Sequence, residues 1–182
     1  MNAFNAAYRT FGWLKLAGAA VSGVAIFGMM LFIVYDVIGR NLLGGSIRGG
    51  FEIVQNYFMP LSIFPALGYV YASGILPRMD MVMDRSPRRL RSGAIYLMLF
   101  AELVIFSLLL YFTWDYAMSG MSRGMSFPAA GTLYQLWPLL FLVPFGMALI
   151  VVETLFALAH NVLNRDAPPA LNMAEPSGQT DL

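Results

Sequence analysis

The stretch Ala72–Arg91, ASGILPRMDMVMDRSPRRLR, is a polar, arginine-rich interval set between two long apolar halves. It carries five of the chain's 11 basic residues: Arg78, Arg85, Arg88, Arg89 and Arg91. Basic residues close to membrane-length segments resist translocation, so this interval marks the cytoplasmic side and orients everything around it.

The 182 residues are 59% hydrophobic and only 12% charged, with a mean hydropathy of +0.67. That is too apolar for a wetted globular surface and predicts an integral membrane protein. A net charge of +1 gives no clustered basic face of the kind that neutralises nucleic-acid phosphates. With no cysteine, disulfides, iron–sulfur clusters and thiolate zinc sites are excluded. The single histidine, His160, cannot supply the paired axial ligands of a membrane haem. It falls where the last apolar segment ends, as a helix-end residue at the membrane surface rather than a proton relay.

Outward from the arginine interval, the chain predicts an all-α membrane protein with four transmembrane helices. Residues 1–14 form a short interfacial segment, with Phe4, Tyr8, Phe11 and Leu14 at helical spacing. Leu16 to Tyr35 is a run of twenty uncharged residues, longer than the roughly 7–15 of a cleavable signal core, and reads as a retained span. The first span covers about 15–38. Its stripe of small residues, beginning Gly18 and Ser22, suits close approach of another helix. Asp36 and Arg40 stand four apart at its far end, where an ion pair would tie the helix terminus to the next loop.

The second span, about 51–73, brings Glu52, Gln55 and Asn56 into the membrane edge on one face. That face either hydrogen-bonds within the bundle or docks a partner membrane protein. Pro60 and Pro65 should bend this span near its middle. The third span, about 93–118, holds Glu102 roughly 13 Å deep, either protonated or facing polar groups or water. Ser119–Thr132 reads as an irregular polar connection, rich in glycine. A fourth span, about 133–159, closes with Glu153, and residues 161–182 form a disordered cytoplasmic tail.

Eight of the Lys and Arg residues lie on the terminal and middle segments, and three on the other two connections. This asymmetry places both termini in the cytoplasm. Trp13, Trp114 and Trp137 lie at predicted span ends, where indole rings favour the headgroup zone. No phosphate-cradling glycine loop, metal-ligand cluster or nucleophile set occurs, so no catalytic residue, metal or cofactor is expected.

Three stretches resemble the small membrane subunit of tripartite ATP-independent periplasmic (TRAP) transporters. They are YDVIGRNLL at 35–43 with Glu52 opening the next helix, the interval from Gly74 through Arg78 and Asp80 to MDRSPRRLR, and MSFP at 125–128 before a proline-bearing fourth span. Leu76 and Pro77 stand where that family usually has His-Ile.

The resemblance implies a non-enzymatic scaffold in the bacterial inner membrane, with no substrate site of its own. Its implied partners are a large multi-span subunit, which carries substrate and sodium sites and moves as an elevator, and a periplasmic solute-binding protein delivering carboxylate-type solutes. Gly18, Ser22, Glu52, Gln55, Asn56 and Glu102 would then lie at helix or partner seams, and Arg85, Arg88, Arg89 and Arg91 would set topology or hold anionic lipid. Two rivals remain: a self-contained proton-coupled carrier using Glu102, and a membrane anchor for a redox complex.

Overall fold

The computed structural model describes residues 2–42, 45, 47–73 and 88–163. Gly74, Leu76, Pro77, Arg78, Asp80 and Arg85, together with the tail from 164, lie outside the described residues. Arg88, Arg89 and Arg91 fall on the first turn of a later helix.

Helix α1, Asn2–Leu42, is unbroken. The short N-terminal helix expected over 1–14 is therefore not a separate element. No proline precedes Pro60, and an isolated glycine such as Gly12 weakens a helix by only about 1 kcal/mol. At 1.5 Å per residue α1 is about 60 Å long, roughly twice the thickness of a bilayer's hydrocarbon core.

The second helical segment, residues 50–72, changes winding four times. It passes from α2 (Gly50–Ile53) through a π turn at Val54–Phe58 into α3 (Met59–Ile63), then through a 3₁₀ turn at Phe64–Ala66 into α4 (Leu67–Ala72). The prolines account for both irregular turns. Pro60 has no N–H for the Asn56 carbonyl and Pro65 none for Leu61, so the backbone widens before the first and tightens at the second.

Helix α5, Arg88–Ser122, ends in a Schellman turn. Met125 donates to the Gly120 carbonyl at 2.9 Å and Gly124 to that of Met121 at 3.2 Å, with Gly124 at φ 60°. The irregular connection expected at Ser119–Thr132 is instead the end of this helix followed by a β-hairpin. Strands β1 (Ser126–Ala129) and β2 (Thr132–Gln135) pair antiparallel, Ser126 with Gln135 and Ala129 with Thr132. Ala130 and Gly131, at φ 56° and 81°, form the two-residue turn whose twist matches such a hairpin. Because β2 occupies 132–135, the last helical segment begins only at Trp137, as α6 (Trp137–Leu140) and α7 (Leu142–Leu163).

Ala7–Leu42, Gly93–Ser122 and Trp137–Val162 are each long and apolar enough to cross a membrane. The interior combines an apolar core around Ile95, Leu99 and Ala157 with several buried polar groups, and the outside is apolar. Lys15, Ser22, Glu153, Thr154 and Asn161 are buried, while Val24, Phe27, Leu97 and Phe100 face outward. This distribution suits lipid as the surrounding solvent.

Candidate functional site

Three polar fastenings and one proline-made seam hold the helices together. The most buried links the first and last helices. Lys15 Nζ donates to Glu153 Oε2 at 2.7 Å, and the Tyr8 hydroxyl donates to Glu153 Oε1 at 3.0 Å. The ammonium also lies 4.7 Å from the Tyr8 ring centroid and 5.1 Å from that of Phe11, and Phe156 packs on both rings. Glu153 is wholly buried and Lys15 is 4% exposed. A charge pair so removed from solvent is held only when its remaining valences are met, which Tyr8 does for the carboxylate and two aromatic faces do for the cation.

The seam lies between α1 and the bent second segment. Ser22 Oγ donates to the Leu61 carbonyl at 3.5 Å, the carbonyl that Pro65 leaves without a helical donor. One turn earlier Gly18 lies against the Pro65 carbonyl, so closely that any Cβ would collide with it. On the other side a Cβ at Gly146 would sit 2.8 Å from the Phe64 carbonyl oxygen, and one at Gly68 would sit 2.8 Å from the Leu149 Cβ. The carbonyls of Leu61, Phe64 and Pro65 are thereby packed against protein, as irregular backbone must be at membrane depth.

The second fastening joins α4, α5 and α7. The Tyr71 hydroxyl donates to Glu102 Oε2. Thr154 Oγ1 lies 3.3 Å from that hydroxyl and 3.0 Å from the Ile150 carbonyl, so its single proton serves one at a time. Nearby, the Tyr96 hydroxyl donates to the Asn161 carbonyl at 3.0 Å.

The third fastening is at the opposite end. Asp36 Oδ2 accepts from Arg40 Nε at 3.0 Å, and its Oδ1 accepts from the Ile47 amide at 2.8 Å, pinning the loop after α1. That loop then meets the hairpin. Gly49 has φ 76°, and a Cβ there would lie 2.8 Å from both the Ala129 Cβ and the Ala130 nitrogen, so only glycine fits. Tyr57 ties the hairpin to the second segment by donating to the Gln135 carbonyl at 2.5 Å, with its ring 5.5 Å from Phe127.

Of the residues singled out in the sequence, Gly18, Ser22, Asp36 and Glu102 are thus placed at contacts between elements, while Arg40 pairs with Asp36 within α1. Asn56 Nδ2 donates to the backbone carbonyl of Glu52 at 2.8 Å. Gln55 is exposed and Glu52 half-buried, and neither side chain has a partner among the described residues. The residues missed were Lys15, Glu153 and Tyr8. Their only sequence signal is one cation and one anion beside the apolar runs of the first and last spans.

The architecture defines a multi-pass helical membrane protein whose interior polar groups join helices to one another. A family model described as "Tripartite ATP-independent periplasmic transporters, DctQ component" matches residues 29–164, and the chain belongs to this family. It is the small component of a tripartite transporter, in agreement with the resemblance carried by residues 35–43 and 125–128. No curated protein and no solved structure matches the chain. The family match begins at Met29, beyond Tyr8 and Lys15.

Proposed function

We propose that this chain is the static scaffold of a sodium-driven importer of carboxylate-type solutes, and that it contributes neither substrate nor ion ligands. Its partners are a large membrane subunit, which carries the transport sites, and a periplasmic binding protein. The observation that carries this reading is the buried Lys15–Glu153 pair: the interior charges neutralise each other and are closed off by Tyr8, Phe11 and Phe156. An apolar cleft of about 680 Å³ between α5 and the last helices offers only Ser107, Tyr111 and Trp114 as polar groups, which is unsuited to a carboxylate.

The chain crosses the inner membrane four times, with both termini cytoplasmic. Two contacts support this. Lys15, in the first half of α1, meets Glu153, midway along α7, and Tyr8 and Phe11 pack on Phe156 one turn further on, which brings the N-terminal part of α1 to the level of the second half of α7. Ile47 and Gly49 gather with the hairpin at the other level. The first 14 residues lie at the cytoplasmic interface. Glu52 and Gln55, unpartnered within the described chain, mark the face that the large subunit covers, because lipid leaves such groups unsatisfied.

Purification of the tagged chain co-expressed with a large TRAP subunit tests the assignment. Recovery of both in near-equal amounts is expected, and lysines replacing Glu52 and Gln55 should release the partner. A chain recovered alone overturns the proposal.

A further inference from the structure

The cytoplasmic end of α1 carries a groove of about 400 Å³ lined by Tyr8, Arg9, Gly12, Trp13 and Leu16. Three features give it chemistry. Lys15 is neutralised by Glu153, whereas Arg9 is exposed and makes no hydrogen bond or ion pair among the described residues. Gly12 has open space where a Cβ would stand, so the floor is bare backbone. Trp13 is 70% exposed and Leu16 49% exposed directly along the helix.

We infer that this groove binds an anionic phospholipid. The Arg9 guanidinium pairs with the headgroup phosphate through its planar fork of donors. Trp13 lies in the headgroup zone, and the upper acyl chain runs over Gly12 and Leu16. Tyr8 forms the rear wall because Glu153 holds its hydroxyl at 3.0 Å, so the groove's shape depends on the buried pair behind it. This inference rests on α1 entering a membrane from the cytoplasmic side, and not on the transporter partners.

Native mass spectrometry of the purified full chain, titrated with phosphatidylglycerol or phosphatidylcholine, is the test. Tighter binding of phosphatidylglycerol is expected. Arg9→Gln should weaken it roughly fivefold, the effect of about 1 kcal/mol for one basic residue at an anionic surface. Gly12→Leu should weaken it while retaining the charge, and both variants should melt like the parent. Excess glycerol phosphate should displace little, because it lacks acyl chains. Equal binding of the two lipids, unchanged binding by both variants, or full displacement by glycerol phosphate would each overturn the site.

Discussion

Two ion pairs involve α1, one in its first half and one near its last turn, and they have different values. Lys15–Glu153 joins helices 138 residues apart in sequence and is shielded from solvent on both sides. Asp36–Arg40 joins successive turns of one helix, and the arginine side chain is 59% exposed. A partly wetted pair within a helix adds little to stability, whereas breaking a buried pair strands a charge without solvation. What matters at Asp36 is its other oxygen, which holds the Ile47 amide. The Lys15 end of the bundle is therefore fastened by charge, and the opposite end by a carboxylate capping a loop onto a hairpin.

The largest effect is expected from Lys15→Met or Glu153→Leu alone, each costing about 3–5 kcal/mol. The two together should return most of that loss, as measured by thermal unfolding in detergent. If the double variant melts as low as the singles, the pair does not act as a unit. Next comes Gly18→Val, which forces α1 away from the Pro65 carbonyl. An overpacked contact of this kind costs about 1–3 kcal/mol, seen as a lower melting temperature and as new protease sensitivity in the second segment.

Asp36→Asn should destabilise less than either of these, with its mark in faster hydrogen exchange at the Ile47 amide. Arg40→Gln should leave the melting temperature nearly unchanged and that amide protected; a drop as large as that of Asp36→Asn would contradict the contrast drawn between the two oxygens. The smallest effect is expected at Glu102, whose Gln variant still accepts from Tyr71. Glu102→Gln should sustain transport by the assembled transporter, and its abolition would give Glu102 a titrating role.

Apolar run length and the positions of Pro60 and Pro65 made most of the helical architecture legible in the sequence. The Gly18 and Ser22 stripe was legible too, but not its partners, because the Leu61 and Pro65 carbonyls become acceptors only through proline chemistry in another helix. The hairpin was hidden: SFPA and TLYQ are too short for a period, and Ala130 is an unusual residue for positive φ. The unbroken α1 was hidden because an amphipathic pattern gives no helix stop. Lys15 and Glu153 were passed over because sequence shows two span-end charges and nothing of their proximity.

The central claim, a scaffold that stays rigid while its partner moves, is tested most directly by locking it. The chain has no cysteine, and a Cβ at Gly68 would lie 2.8 Å from that of Leu149, so a slight separation reaches the roughly 3.5–4.5 Å of a disulfide. Gly68→Cys with Leu149→Cys, oxidised in the assembled transporter, should carry substrate at the rate of its reduced form. Transport that stops on oxidation and returns with reductant would show that these helices move relative to each other in the cycle, contrary to a static scaffold.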